Sequence, residues 1–189
     1  MGKVILTMTI SLDGFVAGLN PGINNPMGEG GVRLHDWIFA ARTEKDTKIL
    51  DQLYESSGSV IVGGHTFHNA IENVWGGASP FNVPAIVVSK TIPKEPALGF
   101  TFITEGIKSA LLKARTIAGK KNVWVMGGAN LIQQFIKEDI YDEIWIHIAP
   151  VLLIKGVPLF QKLGEDRIEL EAYDVVQTPG ATHIKYRRV

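Results

Sequence analysis

Two glycine pairs stand where apolar runs end: Gly63-Gly64 in VIVGGHTF and Gly127-Gly128 in VWVMGGANL. A third apolar run, AIVV, ends in Ser89-Lys90, and the N-terminal run ends in SLDGF, with Asp13 ahead of Gly14. Glycine lets backbone approach a ligand closely, and the first amides of a helix lack intrahelical partners and favour an anion. Bare amides, the hydroxyls of Thr66 and Ser89 and the Lys90 ammonium together make a surface suited to a phosphate-bearing cofactor. Taken singly, each motif is also ordinary turn chemistry. SLDGF can be an Asp-Gly turn and GGHTF a strand-to-helix turn capped by Thr66, while GGANL lacks the third glycine of a dinucleotide fingerprint.

The histidines and tryptophans form a second set of candidates. His65 and His68 are spaced to share a metal, but no third ligand lies near them, so no metal site is expected. His147, inside IWIHIAP, reads as a packed histidine. Trp37, Trp75, Trp124 and Trp145 are core residues by default. Trp37 and Trp75 lie in loop-flanked segments, where they could instead line a pocket for a flat ring.

The elements that must position these groups follow from periodicity. KVILTMTI reads as a buried strand, followed by a long Gly-, Pro- and Asn-rich loop over residues 18–34. HDWIFAA is a helical candidate. In TEKDTKILDQLYESSG, Thr43 caps, Asp46 sits in the first turn, Ile49, Leu50, Leu53 and Tyr54 form the apolar stripe, and Gly58 closes the helix. SVIVGG, PAIVVSK, FTFIT and NVWVMGG are further strands, and HTFHNAI, IKSALLKARTIAG and NLIQQFIKED are helices between or after them. YDEIWIHIAPVLL reads as one long strand, IKGVPLF as a turn-rich loop, and RIELEAYDVVQ and THIKYRRV as strands joined by a TPGA hairpin. The expected fold is α/β: a mainly parallel central sheet flanked by helices on both faces, finished by antiparallel C-terminal strands. Ligands of such sheets bind at the carboxyl ends of the parallel strands, where all four motifs fall.

The chain has 189 residues, 46% hydrophobic and 20% charged, and reads as a single domain, 1–189. Nineteen basic residues balance nineteen acidic ones, which argues against nucleic acid or an anionic membrane as partner. With no cysteine there is no disulfide, thiolate nucleophile or Cys-bound zinc. The N-terminus shows no signal pattern, and a cytoplasmic location is expected.

The motifs SLDGFVAG, VIVGGHTF, AIVVSK, VWVMGGANLIQQFI and DEIWIHIAPVLLIKGVPLF, in this order, resemble the dihydrofolate reductase-like family. Within it, the similar branch is the one containing the C-terminal reductase domain of riboflavin deaminase-reductases and their stand-alone relatives. The resemblance spans nearly the whole chain and implies NADPH as cofactor. Ala17 would lie near the nicotinamide, Gly64, His65 and Thr66 at the phosphates, and Ser89 and Lys90 near the adenosine 2′-phosphate. Gly127, Gly128, Ala129, Asn130 and Leu131 would wrap the pyrophosphate, with a cis peptide between the two glycines. The resemblance also implies a homodimer, in keeping with a C-terminal strand long for an exposed edge.

Three departures qualify it. Gly64 stands where dihydrofolate reductases carry an arginine, leaving Lys90 to meet the 2′-phosphate. The deaminase half has no counterpart. NPMGEGGVRLHDWIFA replaces the segment that carries the pterin-binding carboxylate, with Glu29 or Asp36 as stand-ins and Asp36 favoured as the residue opening a helix. The implied activity is hydride transfer from NADPH to a C=N or C=O carbon of a small heterocyclic or sugar-linked substrate, similar to the riboflavin-pathway pyrimidine reductase. Asp36 is the leading proton donor and Asp13 the alternative, the latter also readable as a turn aspartate. A true dihydrofolate reductase and a non-catalytic nucleotide-binding module are the competing readings.

Overall fold

The computed structural model describes residues 1–189. Strand β1 (Val4–Ser11) leads into a short β2 (Phe15–Ala17), a 3-10 turn (Gly31–His35) and α1 (Asp36–Phe39). Then follow α2 (Glu44–Ser56), β3 (Ser57–Gly63), α3 (Gly64–Ala70), β4 (Ala85–Val88) and β5 (Phe100–Ile103). The chain continues through α4 (Ile107–Ala118), β6 (Asn122–Gly127), α5 (Ala129–Lys137) and β7 (Glu143–Ala149). It ends with β8 (Val157–Pro158), β9 (Leu170–Gln177) and β10 (Thr182–Arg188).

The main sheet has eight strands in the order β5-β4-β3-β6-β1-β7-β10-β9. From β5 to β7 all neighbours run parallel, and β10 joins antiparallel to both β7 and β9. This is the expected fold class: parallel strands need helical crossovers, which cover both faces, while the C-terminal hairpin needs none. Alternation along β6 shows the two layers. Val123 and Val125 pack with Leu6, Ala110, Ala114 and Phe135 beneath α4 and α5. Trp124 packs with Ile5, Leu53, Val60, Val62, Phe67 and Trp145 beneath α2 and α3. Phe135 and Leu6 are almost fully buried, each contributing about 1.5–3 kcal/mol.

Helix α2 starts as its sequence dictates. The Thr43 hydroxyl accepts from the Asp46 amide at 3.3 Å and the Asp46 carboxylate accepts from the Thr43 amide at 2.7 Å, a reciprocal cap worth about 1 kcal/mol. Its end differs from expectation. The helix passes straight into β3 through Ser57, whose hydroxyl donates to the Leu53 carbonyl at 2.7 Å. Gly58 lies inside β3, and glycine is needed there because a Cβ would stand 2.8 Å from the Ala118 Cα of α4.

Three other boundaries move. Strand β7 stops at Ala149, before Pro150, which has no amide to donate to the ladder. The segment expected only as a loop contains β8, which pairs antiparallel with β2, and Gly156 ahead of it is required because a Cβ would meet the Ala17 carbonyl oxygen at 2.1 Å. Strand β9 begins at Leu170, later than its pattern implies. The loop over 18–34 is tied to itself: Gly18 donates to the Met27 carbonyl at 2.8 Å, Glu29 to the Leu19 carbonyl at 2.9 Å, and Asn20 Nδ2 to Glu29 Oε1 at 3.0 Å.

Candidate functional site

Adjacent parallel strands β4, β3 and β6 bring their carboxyl ends together, and the motifs with them. A Cβ on Gly63 would lie 3.4 Å from the Gly127 carbonyl oxygen and the Gly128 amide. One on Gly64 would lie 3.1 Å from the Val88 carbonyl and 3.2 Å from Ser89 Oγ, and one on Gly128 2.9 Å from Thr66 Oγ1. Gly63, Gly64, Thr66, Ser89, Gly127 and Gly128 therefore form one contiguous patch of backbone and hydroxyls. The Gly127-Gly128 peptide is cis, as the family resemblance implies.

The start of α5 completes the patch. The Leu131 and Ile132 amides both turn back to the Gly128 carbonyl, at 3.0 and 3.1 Å, and no side chain caps the helix. Ala129 and Leu131 bury their side chains in the core, so only their backbone is available to a ligand. Asn130 is exposed, with its Oδ1 accepting from Gln134 Nε2 at 2.8 Å. His65 and Lys90 are exposed, and Lys90 takes part in none of the ion pairs. Ala17 is buried on β2, past the end of β1 and separate in chain from the glycine patch.

The two candidate carboxylates stand in different settings. Asp13 is exposed and accepts the amides of Leu153 at 3.1 Å and Ile154 at 2.7 Å, fastening the segment after β7 to the turn after β1. The Ser11 hydroxyl, then these amides, hold its pKa below the usual value. Asp36 opens α1, on the segment packed over β1, β2 and β7. Its side chain is 28% exposed and lies 3.2 Å from the Arg33 guanidinium, so it is a partly exposed, ion-paired carboxylate.

Sequence reasoning missed a buried polar chain behind this segment. Asp46 and His183 meet at 2.9 Å through Oδ1 and Nε2, and His183 Nδ1 meets His147 Nδ1 at 2.8 Å. With His183 Nε2–H donating to the carboxylate, His183 Nδ1 accepts from His147 Nδ1–H, a tautomer assignment that follows from the network. Burial pushes His147 down to about 3, with His183 adding to it, and burial lowers His183 as well despite Asp46. Burial works to raise Asp46, but the Thr43 hydroxyl and amide, Thr178 and His183 outweigh it and hold it ionised. Trp37 closes the chain, its ring 4.7 Å from His147 and 4.8 Å from His183 and its Nε1 donating to Thr9 at 3.2 Å. At 1% exposure Trp37 is core and lines no pocket. Trp75 is partly buried and stacks on Phe100 at 5.7 Å. The Thr43–Asp46 cap is visible in sequence, but the His147–His183 pairing exists only through the β7–β10 register.

Comparison with known proteins comes down on one family. The model described as the RibD C-terminal domain matches residues 2–184. The YwjB protein of Bacillus subtilis strain 168 is 30% identical over 171 residues, 89% of each chain. A Shewanella sp. PV-4 protein named for riboflavin biosynthesis superposes with a TM-score of 0.74 at 22% identity, over 99% of both chains. Dihydrofolate reductase of Enterococcus faecalis, solved in complex with NADP(H) and RAB-propyl, superposes with a TM-score of 0.65 at 14% identity, over 99% of this chain and 96% of that one. At such identities the two structures speak for the fold alone.

Proposed function

Because the chain belongs to the RibD C-terminal domain family, we propose that residues 1–189 form one NADPH-dependent reductase domain. It delivers hydride to a C=N or C=O carbon of a small heterocyclic or sugar-linked acceptor. The observation that supports this most is the contiguous patch of Gly63, Gly64, Thr66, Ser89, Gly127 and Gly128 at three neighbouring strand ends. The residues fit the cofactor: a side chain at Gly64 or Gly128 would fill the cradle, and no acidic residue belongs to the patch. When bound, NADPH supplies the hydride.

The protein's own groups bind, orient and hold the proton. Gly64, His65 and Thr66 on one side and Gly127 to Leu131 on the other line the phosphates, with the Thr66 hydroxyl and the Ala129 and Asn130 amides on offer while the Leu131 amide holds the Gly128 carbonyl. Ser89 and the unpaired Lys90 receive the 2′-phosphate. Ala17 faces the nicotinamide end, and Asp13 keeps the loop after β7 docked beside it. Asp36, partly exposed and paired with Arg33, would take a proton from water and relay it to the reduced acceptor. The edge strand β9 exposes Tyr173 and Val175 at 40% and 59%, and a second copy covers it to make a homodimer. No helix is long and apolar enough to cross a membrane, and we place the protein in the cytoplasm.

The test is NADPH oxidation by the purified protein, followed by nicotinamide absorbance, with a panel of heterocyclic and sugar-linked carbonyls and imines. Turnover of at least one acceptor is expected. Tight NADPH binding without turnover of any would instead support a nucleotide-binding module, and failure to bind NADPH would refute the cofactor assignment.

A further inference from the structure

Strand register lines up a polar row across the sheet, with Thr9 of β1 beside His147 of β7 and His147 beside His183 of β10. Asp46 of α2 closes the row at His183, and the Trp37 ring lies against both imidazoles with its N–H on Thr9. Gly180 makes room for it, since a Cβ there would stand 2.8 Å from the Trp37 Cβ. Trp37 belongs to residues 31–41, the 3-10 turn and α1 with the two residues after it. The backbone hydrogen bonds of this segment are all local, and Trp37 Nε1 makes its one side-chain hydrogen bond to the sheet. Its fully buried side chains are Leu34 and Trp37, while Val32 and Phe39 are largely exposed. Trp37 packs in a small apolar cluster with Leu50 and Ala181, outside both main cores. The segment is thus fastened at few points.

The charges around those points are unbalanced. His147 and His183 share one carboxylate, and their Nδ1 atoms, 2.8 Å apart, hold one proton between them. Were both rings charged, two N–H donors would face each other. His35 Nδ1, on the segment itself, is buried with no partner. The groups acting on His147 are His183 and Lys185 from β10, His35 from the 3-10 turn and Asp46 from α2, and β1 presents the uncharged Thr9. Lys185 is itself paired, with Asp174 at 2.8 Å. Asp36 alone acts on His35, and it is shared with Arg33. Burial therefore holds His35 down to about 4 and His147 down to about 3. Once the segment lifts and water reaches them, both rings titrate near the ordinary value of about 6.5.

We propose that Trp37 is an acid-released latch: protonation of His35 and His147 lifts residues 31–41 from the sheet while the two main cores stay folded. The closed segment binds fewer protons than the open one, so closure is strongest near pH 7 and above and weakens as pH falls. With two rings taking up protons, the opening constant rises by up to about 100-fold per pH unit below about pH 6. Asp36 leaves with the segment, so opening withdraws the proton donor of the reductase reading. Only that consequence rests on the reading.

The test is native-state hydrogen exchange read by mass spectrometry from pH 7 to pH 5, corrected for the intrinsic exchange rate, with residues 31–41 compared with β1 and β7. The expected result is an opening constant for 31–41 that climbs by up to about 100-fold per pH unit while β1 and β7 stay protected. His35→Phe and His147→Phe each remove one titrating ring, and each should cut the slope to about tenfold per unit. His35→Phe carries the test alone if His147→Phe does not fold. A flat profile for 31–41, equal acceleration in β1 and β7, or an unchanged slope in His35→Phe would each overturn the proposal. NADPH takes no part in this readout. Acid opening in a protein that turns over no acceptor would leave the latch standing and the reductase reading fallen.

Discussion

Replacing Gly128 with Asp puts a carboxylate where the pyrophosphate is proposed to sit, at a position whose backbone accepts a side chain. Gly128 has φ −75° and ψ −163°, and the only atom within 4 Å of an added Cβ is Thr66 Oγ1 at 2.9 Å. A threonine hydroxyl can rotate away for about 1 kcal/mol or less. Gly127 is the poorer choice, because its φ is 112° and a Cβ would meet Met8 Cε at 2.1 Å, so the fold itself would suffer.

Like charges about 4 Å apart repel by about 1 kcal/mol in water and about 4 kcal/mol in a half-desolvated cleft. An intermediate value of about 2.8 kcal/mol weakens binding roughly 100-fold. At 100 times the wild-type dissociation constant, NADPH stabilises the wild type by about 2.7 kcal/mol and the variant by only about 0.4 kcal/mol. For a chain of this size that is a melting shift of about 5–11 °C against about 1–2 °C. The assay is a thermal melt with and without NADPH, beside circular dichroism of the free proteins. If Gly128→Asp folds and keeps more than half of the wild-type shift, the glycine pair is only a strand-to-helix turn. Should the aspartate variant fail to fold, Gly128→Ala takes its place, with the shift expected to fall by about half for a roughly tenfold loss of affinity.

Lys90→Ala should weaken NADPH about tenfold and leave NADH unchanged, as the loss of one charge-assisted contact would; equal loss for both dinucleotides in a fluorescence titration would remove Lys90 from the 2′-phosphate. Asp36→Asn should lower kcat by about 10²–10⁴ with NADPH affinity intact, and steady-state kinetics showing wild-type kcat would transfer the proton to solvent alone. Acidification should destabilise the fold. Burial lowers His147 to about 3 and His35 to about 4, so between those values and about 6.5 the unfolded chain binds more protons and stability falls as pH falls, by about 1.4 kcal/mol per histidine per pH unit. Urea midpoints from pH 7 to pH 5 check the slope, and His147→Phe should flatten it; a flat wild-type profile would mean that the histidines are solvated. Asp46→Ala should cost about 2–4 kcal/mol in the same assay, because it strands the buried His183 N–H and removes the Thr43 cap, and a loss below about 1 kcal/mol would show that the Asp46–His183–His147 chain is not structural.

Much of the frame was legible before any coordinates. The apolar runs of β1, β3, β4 and β6, the Thr43–Asp46 cap, the stripe of α2 and the glycines at two strand ends are local signals. Propensity, capping and turn chemistry act over a few residues, and they place each motif at a carboxyl end. The boundaries that shifted each had a distant cause. Gly58 is a glycine because Ala118 packs on it, Gly156 because Ala17 does, and β2 and β8 are strands only because each finds the other.

The site divides in the same way. Amino-acid type and spacing marked Gly64, Thr66, Ser89, Gly127 and Gly128 as candidates, since a phosphate-bearing ligand would need bare backbone and hydroxyls wherever they lie in the chain. Which of them touch was decided by the strand order β4-β3-β6. Only tertiary structure could pair His147 with His183 across β7 and β10 or bury Trp37 against both. Only it could bury Thr7 Oγ1 and Trp124 Nε1 without partners. Burial and pairing between residues far apart in the chain depend on the whole packing arrangement, and no local pattern carries that information.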